Sequence, residues 1–157
     1  MEQTIAVIGG TGNLGAALAR RWAKAGRKVV IGSRTADKAR EAADRLGAEL
    51  GREIGSASNL EAAQAADIVV VTVPFSSQQA VLEEIRPAVT GKVVIDTTVP
   101  LMPPKVARVQ LPAEGSAAQR AQNLLGDGAR LVSAFHNVAA HKLATDQVVE
   151  CDVLVFG

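Results

Sequence analysis

Short apolar runs alternate with stretches whose apolar positions recur every three or four residues along this chain. The run Thr4 to Ile8 reads as a strand. It is followed by a helical pattern from Asn13 to Ala25, with Leu14, Leu18 and Trp22 on one face, that stops at Gly26. Lys28 to Ile31 predicts a second strand and Ala36 to Leu50 a second helix, with Ser33 or Thr35 as its cap and a solvated side carrying Asp37, Lys38, Arg40, Glu41, Asp44 and Arg45. Gly51 to Ser58 predicts a short third strand with turns, and Leu60 to Ala66 a short helix. Asp67 to Pro74 is apolar and rich in β-branched residues, as a parallel strand buried on both faces requires. Ser76 or Ser77 is then expected to cap a helix to about Val89, with Val81, Leu82 and Ile85 inward. Lys92 to Asp96 is the fifth strand, Ser116 to Leu125 a helix, and Arg130 to Phe135 the sixth strand. Asn137 to Ala144 reads as a short helix or turn, and Val148 to Phe156 as one more strand or two short ones. Between Thr97 and Gly115 the four prolines Pro100, Pro103, Pro104 and Pro112 break any pattern, and so long a loop is expected to be functional or mobile.

This alternation defines an α/β chain with a doubly wound parallel sheet. Right-handed crossovers give the core order 3-2-1-4-5-6, with a ligand expected outside the carboxyl ends of the strands. The first of those ends carries Gly10-x-Gly12-x-x-Gly15, between a strand and a helix. That is the context in which a glycine triplet binds a dinucleotide. Gly10 is expected to allow the sharp turn and Gly12 the close approach of a pyrophosphate. Gly15 is expected to bring helix and strand together, with Thr11, Asn13 and Leu14 completing the turn. Residues 1–157 are therefore expected to form a single Rossmann-type dinucleotide-binding domain.

Composition narrows the chemistry. The chain holds no Tyr, which excludes the Tyr–Lys mechanism of short-chain dehydrogenases that a Gly-Gly-Thr-Gly opening suggests. Net charge is +1, so no basic field points to nucleic acid or a membrane surface. No signal peptide or membrane-length apolar run is present, which fits a cytoplasmic protein. The single Cys151 is expected as a small buried hydrophobe.

An NAD-binding unit usually places an acid about 20 residues beyond the glycines, on the adenosine ribose. Here the second strand ends in Ser33-Arg34, with Lys38 one turn on, and Asp37 lies past the tip. Serine, a guanidinium fork and an ammonium suit a 2′-phosphate, so NADP is the expected dinucleotide. The alternative is a solvated basic helix start.

Gly9-Gly10-Thr11-Gly12-Asn13-Leu14-Gly15 and Gly32-Ser33-Arg34 together resemble the NADPH-dependent coenzyme F-420 reductases. So do Val73-Pro74, Val99-Pro100 and Ser133-Ala134-Phe135-His136 with Ala139-Ala140, in order over nearly the whole chain. The resemblance implies hydride transfer between NADP(H) and the deazaflavin coenzyme F-420. It implies that Thr11 to Leu14 hold the pyrophosphate and that Ser33, Arg34 and Lys38 hold the 2′-phosphate. It further implies that Val73, Pro74 and Ala140 line the nicotinamide side, and that Val99, Pro100 and His136 face the deazaflavin. Members of the family usually continue past the last strand into helices that help form a dimer; the sequence to Gly157 is expected to lack that part, and a homodimer stays open.

Apart from the resemblance, both coenzymes carry the hydride themselves and ask the protein for orientation and dryness. Val73, Phe75, Val99, Leu101 and Met102 are candidates to wall a dry cleft, or are ordinary loop packing. His136 is the one strong acid–base candidate, with capping of the strand end as its structural alternative. His136 and His141 lie five apart without a third ligand nearby, so no metal site is expected. Two other readings remain open: an NADPH-dependent reductase of the same superfamily acting on an imine, a ketone or a flavin-linked iron centre, and a non-catalytic NADP-sensing module.

Overall fold

In the first strand, β1 (Thr4–Ile8), Val7 packs into one hydrophobic cluster while Ala6 and Ile8 pack into another. This period of two places a core on each face of the sheet. The computed structural model describes residues 3–104 and 107–157. On one face lie α1 (Asn13–Lys24) and α2 (Ala36–Leu50), whose Ala19, Ala23, Ala39, Ala43 and Leu46 meet Val7 of β1 and Val29 and Ile31 of β2 (Lys28–Ser33). On the other lie α3 (Asn59–Ala65), α4 (Phe75–Ile85) and α5 (Ala117–Leu125). Their Ala62, Val81, Leu82, Ile85 and Ala121 cover Ala6 and Ile8, Val69 and Val71 of β4 (Ile68–Val71), and Val94 of β5 (Val93–Asp96). The inward set Val81, Leu82 and Ile85 is buried, as its spacing predicts, each such burial contributing roughly 1.5–3 kcal/mol. The alanines matter as much, because their small side chains let the helices approach the sheet closely.

The remaining strands are β3 (Gly55–Ser58), β6 (Arg130–Ala134) and β7 (Val155–Phe156), and the sheet order is β3-β2-β1-β4-β5-β6-β7. The expected core order is borne out, and every pairing through β6 is parallel. The sheet is not parallel to its end: β7 runs antiparallel to β6, pairing Phe156 with Ser133 and Val155 with Ala134. After β6 the chain goes to α1, where the short α6 (Ala140–Leu143) docks, and it returns beside β6 from there. No helix crosses the sheet face on this path, and an antiparallel neighbour needs none.

Several local expectations are corrected. β2 continues two residues past Ile31, because Gly32 and Ser33 still pair with Ala57 and Ser58 of β3. Neither Ser76 nor Ser77 caps α4; Pro74 is the N-cap, and its fixed φ of −58° turns the chain directly into the helix. Thr35 is the N-cap of α2 without a side-chain bond. Cys151 is exposed rather than buried, since nothing packs over the return from α6. The proline-rich loop folds back on itself: Leu101 bridges Val109, and the Pro100 carbonyl accepts from the Gln110 amide at 2.9 Å.

Candidate functional site

The turn after β1 takes its left-handed residue at Gly9, with φ of +75°, rather than at Gly10. Gly10 is required for space instead: a Cβ there would lie 2.8 Å from the Val7 carbonyl and 3.0 Å from Ile31. A Cβ on Gly15 would strike the Thr72 hydroxyl and the Gly10 Cα, so this glycine lets α1 close against the turn. Gly12 differs from both, because only the Gly9 carbonyl, at 3.4 Å, would meet a Cβ there. Gly12 is also the N-cap of α1, and no side chain satisfies the helix's free N–H groups. The first turn holds no acid. Free amides, the positive end of the dipole and an open approach suit this helix end to an anion.

The turn is anchored to the neighbouring strand end, since the Gly9 and Gly10 amides both donate to the Gly32 carbonyl at 3.1 Å. A cavity of about 430 Å³ opens over this junction. Gly9, Thr11 and Gly12 form one wall, Ser33, Arg34 and Lys38 a second, and Thr72, Val73 and Pro74 a third. Three separate sequence predictions thus meet in one groove. Arg34 and Lys38 are exposed and Ser33 is buried. Two further lining residues were not expected at the site: Asn59, and Val81, which was expected only as an inward residue of α4. Asn59 had a signal, because Ser58-Asn59-Leu60-Glu61 spells a capping box, and that box is formed. It fixes Asn59 as the first residue of α3, beside the tip of β2.

Other predicted residues lie elsewhere. Gly10 and Asn13 face a second cavity of about 760 Å³ between α1 and α2, and Ala140 closes that cavity from α6. Leu14 is half-buried in α1. Phe75 is 7% exposed and carries the Arg120 guanidinium 5.0 Å above its ring, so it is turned toward α5 and not into the groove. Val99 is half-buried and Pro100 buried at the base of the proline-rich loop, while Leu101 and Met102 are exposed.

His136 follows β6, with its Nε2 2.9 Å from the Ser133 hydroxyl. Phe135, just before it, takes φ of +66°, a strained conformation for a residue with a Cβ, and its ring meets Trp22 edge-on at 6.1 Å between centroids. Trp22 is therefore packing, as its helical spacing predicts. On the adjoining strand, paired in register with Ser133, is Asp96, fully buried. Burial pushes its carboxyl above the usual carboxylate range, against the opposing pull of hydrogen bonds from Thr98 and Gln78 and of the His136 charge. Gln78 donates to Asp96 and to the Thr98 hydroxyl, both at 2.8 Å, and to the Ala117 carbonyl at 3.1 Å. One side chain thereby ties α4 to both ends of the proline-rich loop.

Among the described residues no helix is long and apolar enough to cross a membrane, and no cluster of His, Cys, Asp and Glu could hold a metal ion.

A glycine turn on an uncapped helix, joined to a phosphate-compatible strand tip at the switch point of a doubly wound sheet, defines a Rossmann-type dinucleotide-binding domain. A crystal structure from Arthrobacter sp. FB24 shares this fold with a TM-score of 0.71 at 21% identity, over 90% of this chain and 64% of that one. A sequence profile described as "NADP oxidoreductase coenzyme F420-dependent" matches residues 4–100, and the chain belongs to that family. Its relatives include the "F420-dependent NADP reductase" of Methanothermobacter thermautotrophicus, 44% identical over 99% of this chain and 70% of the relative. The protein of the same description from Methanocaldococcus jannaschii is 36% identical over 98% of this chain and 72% of its own length.

Proposed function

We propose that this chain is an NADP-dependent oxidoreductase that transfers a hydride between NADP(H) and coenzyme F-420, with residues 1–157 acting as the dinucleotide-binding unit. The observation that carries the reading is the shared groove, in which the glycine turn, Ser33-Arg34-Lys38 and Val73-Pro74 converge. The two named relatives support the same reaction.

The coenzymes supply the hydride chemistry, one as donor and the other as acceptor. The chain's own residues bind, orient and exclude water. Thr11 to Leu14 and the amides of the α1 N-terminus take the pyrophosphate. Gly12 supplies the open approach, and Gly10 and Gly15 hold the turn. Ser33, Arg34 and Lys38 take the 2′-phosphate, for which the absence of an acid at the β2 tip leaves room. Val73 and Pro74 border the nicotinamide end of the groove; Phe75, the first residue of α4, follows them, and Ala140 closes the turn from α6. Val99 and Pro100 border the second coenzyme, and His136 donates toward its carbonyl edge, held for that purpose by Ser133 and the strained Phe135.

The reading is tested by mixing the protein with NADPH and F-420 and following deazaflavin absorbance. Loss of the oxidised band is the expected result. NADP binding without turnover on F-420 would move the chain to the sensing-module reading.

A further inference from the structure

On a regular strand Ser133 and His136 would not meet, because residues three apart in extended chain point to opposite faces of the sheet. Phe135, between them, takes φ of +66°, and this left-handed turn lets the His136 ring reach back until its Nε2 lies 2.9 Å from the Ser133 hydroxyl. Strain kept at such a point marks a constraint on the residue it places. The direction of the bond follows from counting protons. Ser133 is 8% exposed, so its hydroxyl proton needs an acceptor within the protein. Asp96 stands in register with it on β5, yet that carboxyl accepts from the Thr98 amide and hydroxyl and from Gln78, and not from Ser133. Among the described residues His136 Nε2 is the sole side-chain partner of Ser133 Oγ, and Nδ1 of the same ring has none.

We infer that Ser133 is a positioning residue that fixes the neutral His136 ring as its Nδ1–H tautomer. A hydroxyl that donates to Nε2 requires that nitrogen to be bare, and the ring proton then sits on Nδ1. The reverse form, with the proton on Nε2, would leave the buried Ser133 hydroxyl without an acceptor, which is costly. With Nε2 occupied by Ser133, the ring has one polar group left to offer a ligand, and that group is a donor. It suits a carbonyl oxygen and not an N–H, so the tautomer selects which edge of the second coenzyme His136 meets. That selection rests on the reductase reading above; the tautomer itself does not.

The test is nitrogen-15 NMR of the histidine rings at alkaline pH, where imidazole is neutral, with the His136 signals identified by their loss in His136→Ala. A pyridine-type Nε2 and a pyrrole-type Nδ1 are expected in the parent. Ser133→Ala is expected to return the ring toward the Nε2–H form that a free histidine favours in water, and Ser133→Thr, which keeps the hydroxyl, to hold the parent pattern. At saturating NADPH and F-420, Ser133→Ala should slow single-turnover hydride transfer roughly fivefold with NADP affinity unchanged, and Ser133→Thr should restore the rate. A parent that carries the proton on Nε2 overturns the inference, and that measurement stands even if the variants misfold. A Ser133→Ala protein with an unchanged rate overturns the positioning role. A parent that does not turn over F-420 overturns the reductase reading and that role with it, while the spectrum decides the tautomer on its own.

Discussion

The β1–β2–β4 half of the molecule and the β5–β6–β7 half present their strand ends by different means. In the first half the groups on offer are mostly backbone: a left-handed Gly9, an open Gly12 and the free amides of α1, with the Gly32 carbonyl holding the turn. In the second the corresponding strand ends carry side chains set by long connections: His136 on the strained Phe135, and behind it the buried network of Gln78, Asp96 and Thr98. The first half is covered on both faces by cores. The second exposes Leu101, Met102, Val109 and Leu111 in its loop and Val155 and Phe156 at its edge. Backbone recognition needs only a fold and a few glycines, so it fails abruptly when a Cβ intrudes. Side-chain recognition is removed one group at a time.

The largest effect is therefore expected at Gly12. Gly12→Val places its side chain in the open approach while meeting almost nothing of the protein. Calorimetry should find no NADP binding to a variant whose circular dichroism matches the parent. Unchanged affinity in a folded Gly12→Val protein would reduce the turn to a structural element.

His136→Ala tests the other half. Stopped-flow at saturating NADPH and F-420 should show hydride transfer slowed roughly a hundredfold, with NADP affinity unaffected. An equal single-turnover rate removes His136 from the site.

Arg34→Ala comes next, with NADP affinity reduced roughly ten- to a hundredfold and NAD affinity barely changed. A parent that binds both dinucleotides equally defeats the 2′-phosphate assignment.

Gln78→Ala probes the buried network. Loss of its bonds leaves Asp96 and Thr98 short of partners and should lower stability by about 1–3 kcal/mol in urea denaturation, without weakening NADP binding. The Asp96 carboxyl is held above its unfolded value, so the folded state binds the extra proton. Its contribution is complete below the unfolded value and fades as pH rises through the raised one. Asp96→Asn should flatten that part of the stability–pH curve.

The smallest effect is expected at Asp146, whose carboxylate bonds Arg20 at 2.8 Å and Lys24 at 2.7 Å and is held down to about 2. That contribution is present above the unfolded value and is lost as pH falls toward 2. Asp146→Asn should loosen α6 from α1 at neutral pH, seen as faster amide exchange in Lys142 to Thr145, with the global transition unmoved.

The same contrast explains what the sequence made legible. Strand order and the glycine turn follow from apolar periodicity and residue type, which are local. The antiparallel β7 and the exposed Cys151 depend on where the chain goes after β6, which no local pattern encodes. Gly9 rather than Gly10 takes the positive φ because adjacent glycines are equivalent until the surrounding atoms decide. Gln78 was visible in hindsight: it stands three, four and seven residues before Val81, Leu82 and Ile85, a polar side chain on the buried stripe of α4. Asn59 carried its capping-box signal, but its place on the groove wall exists only in three dimensions.

The Gly32 carbonyl, accepting from Gly9 and Gly10 together, has one more consequence. The glycine turn and the strand tip that leads to Arg34 meet at a single peptide group. The distance between the two is thus set by a pair of hydrogen bonds to one carbonyl and not by a hinge. If the proposed placement holds, the coenzyme's adenosine end meets a fixed gauge, and a ligand whose phosphates are spaced differently should bind more weakly.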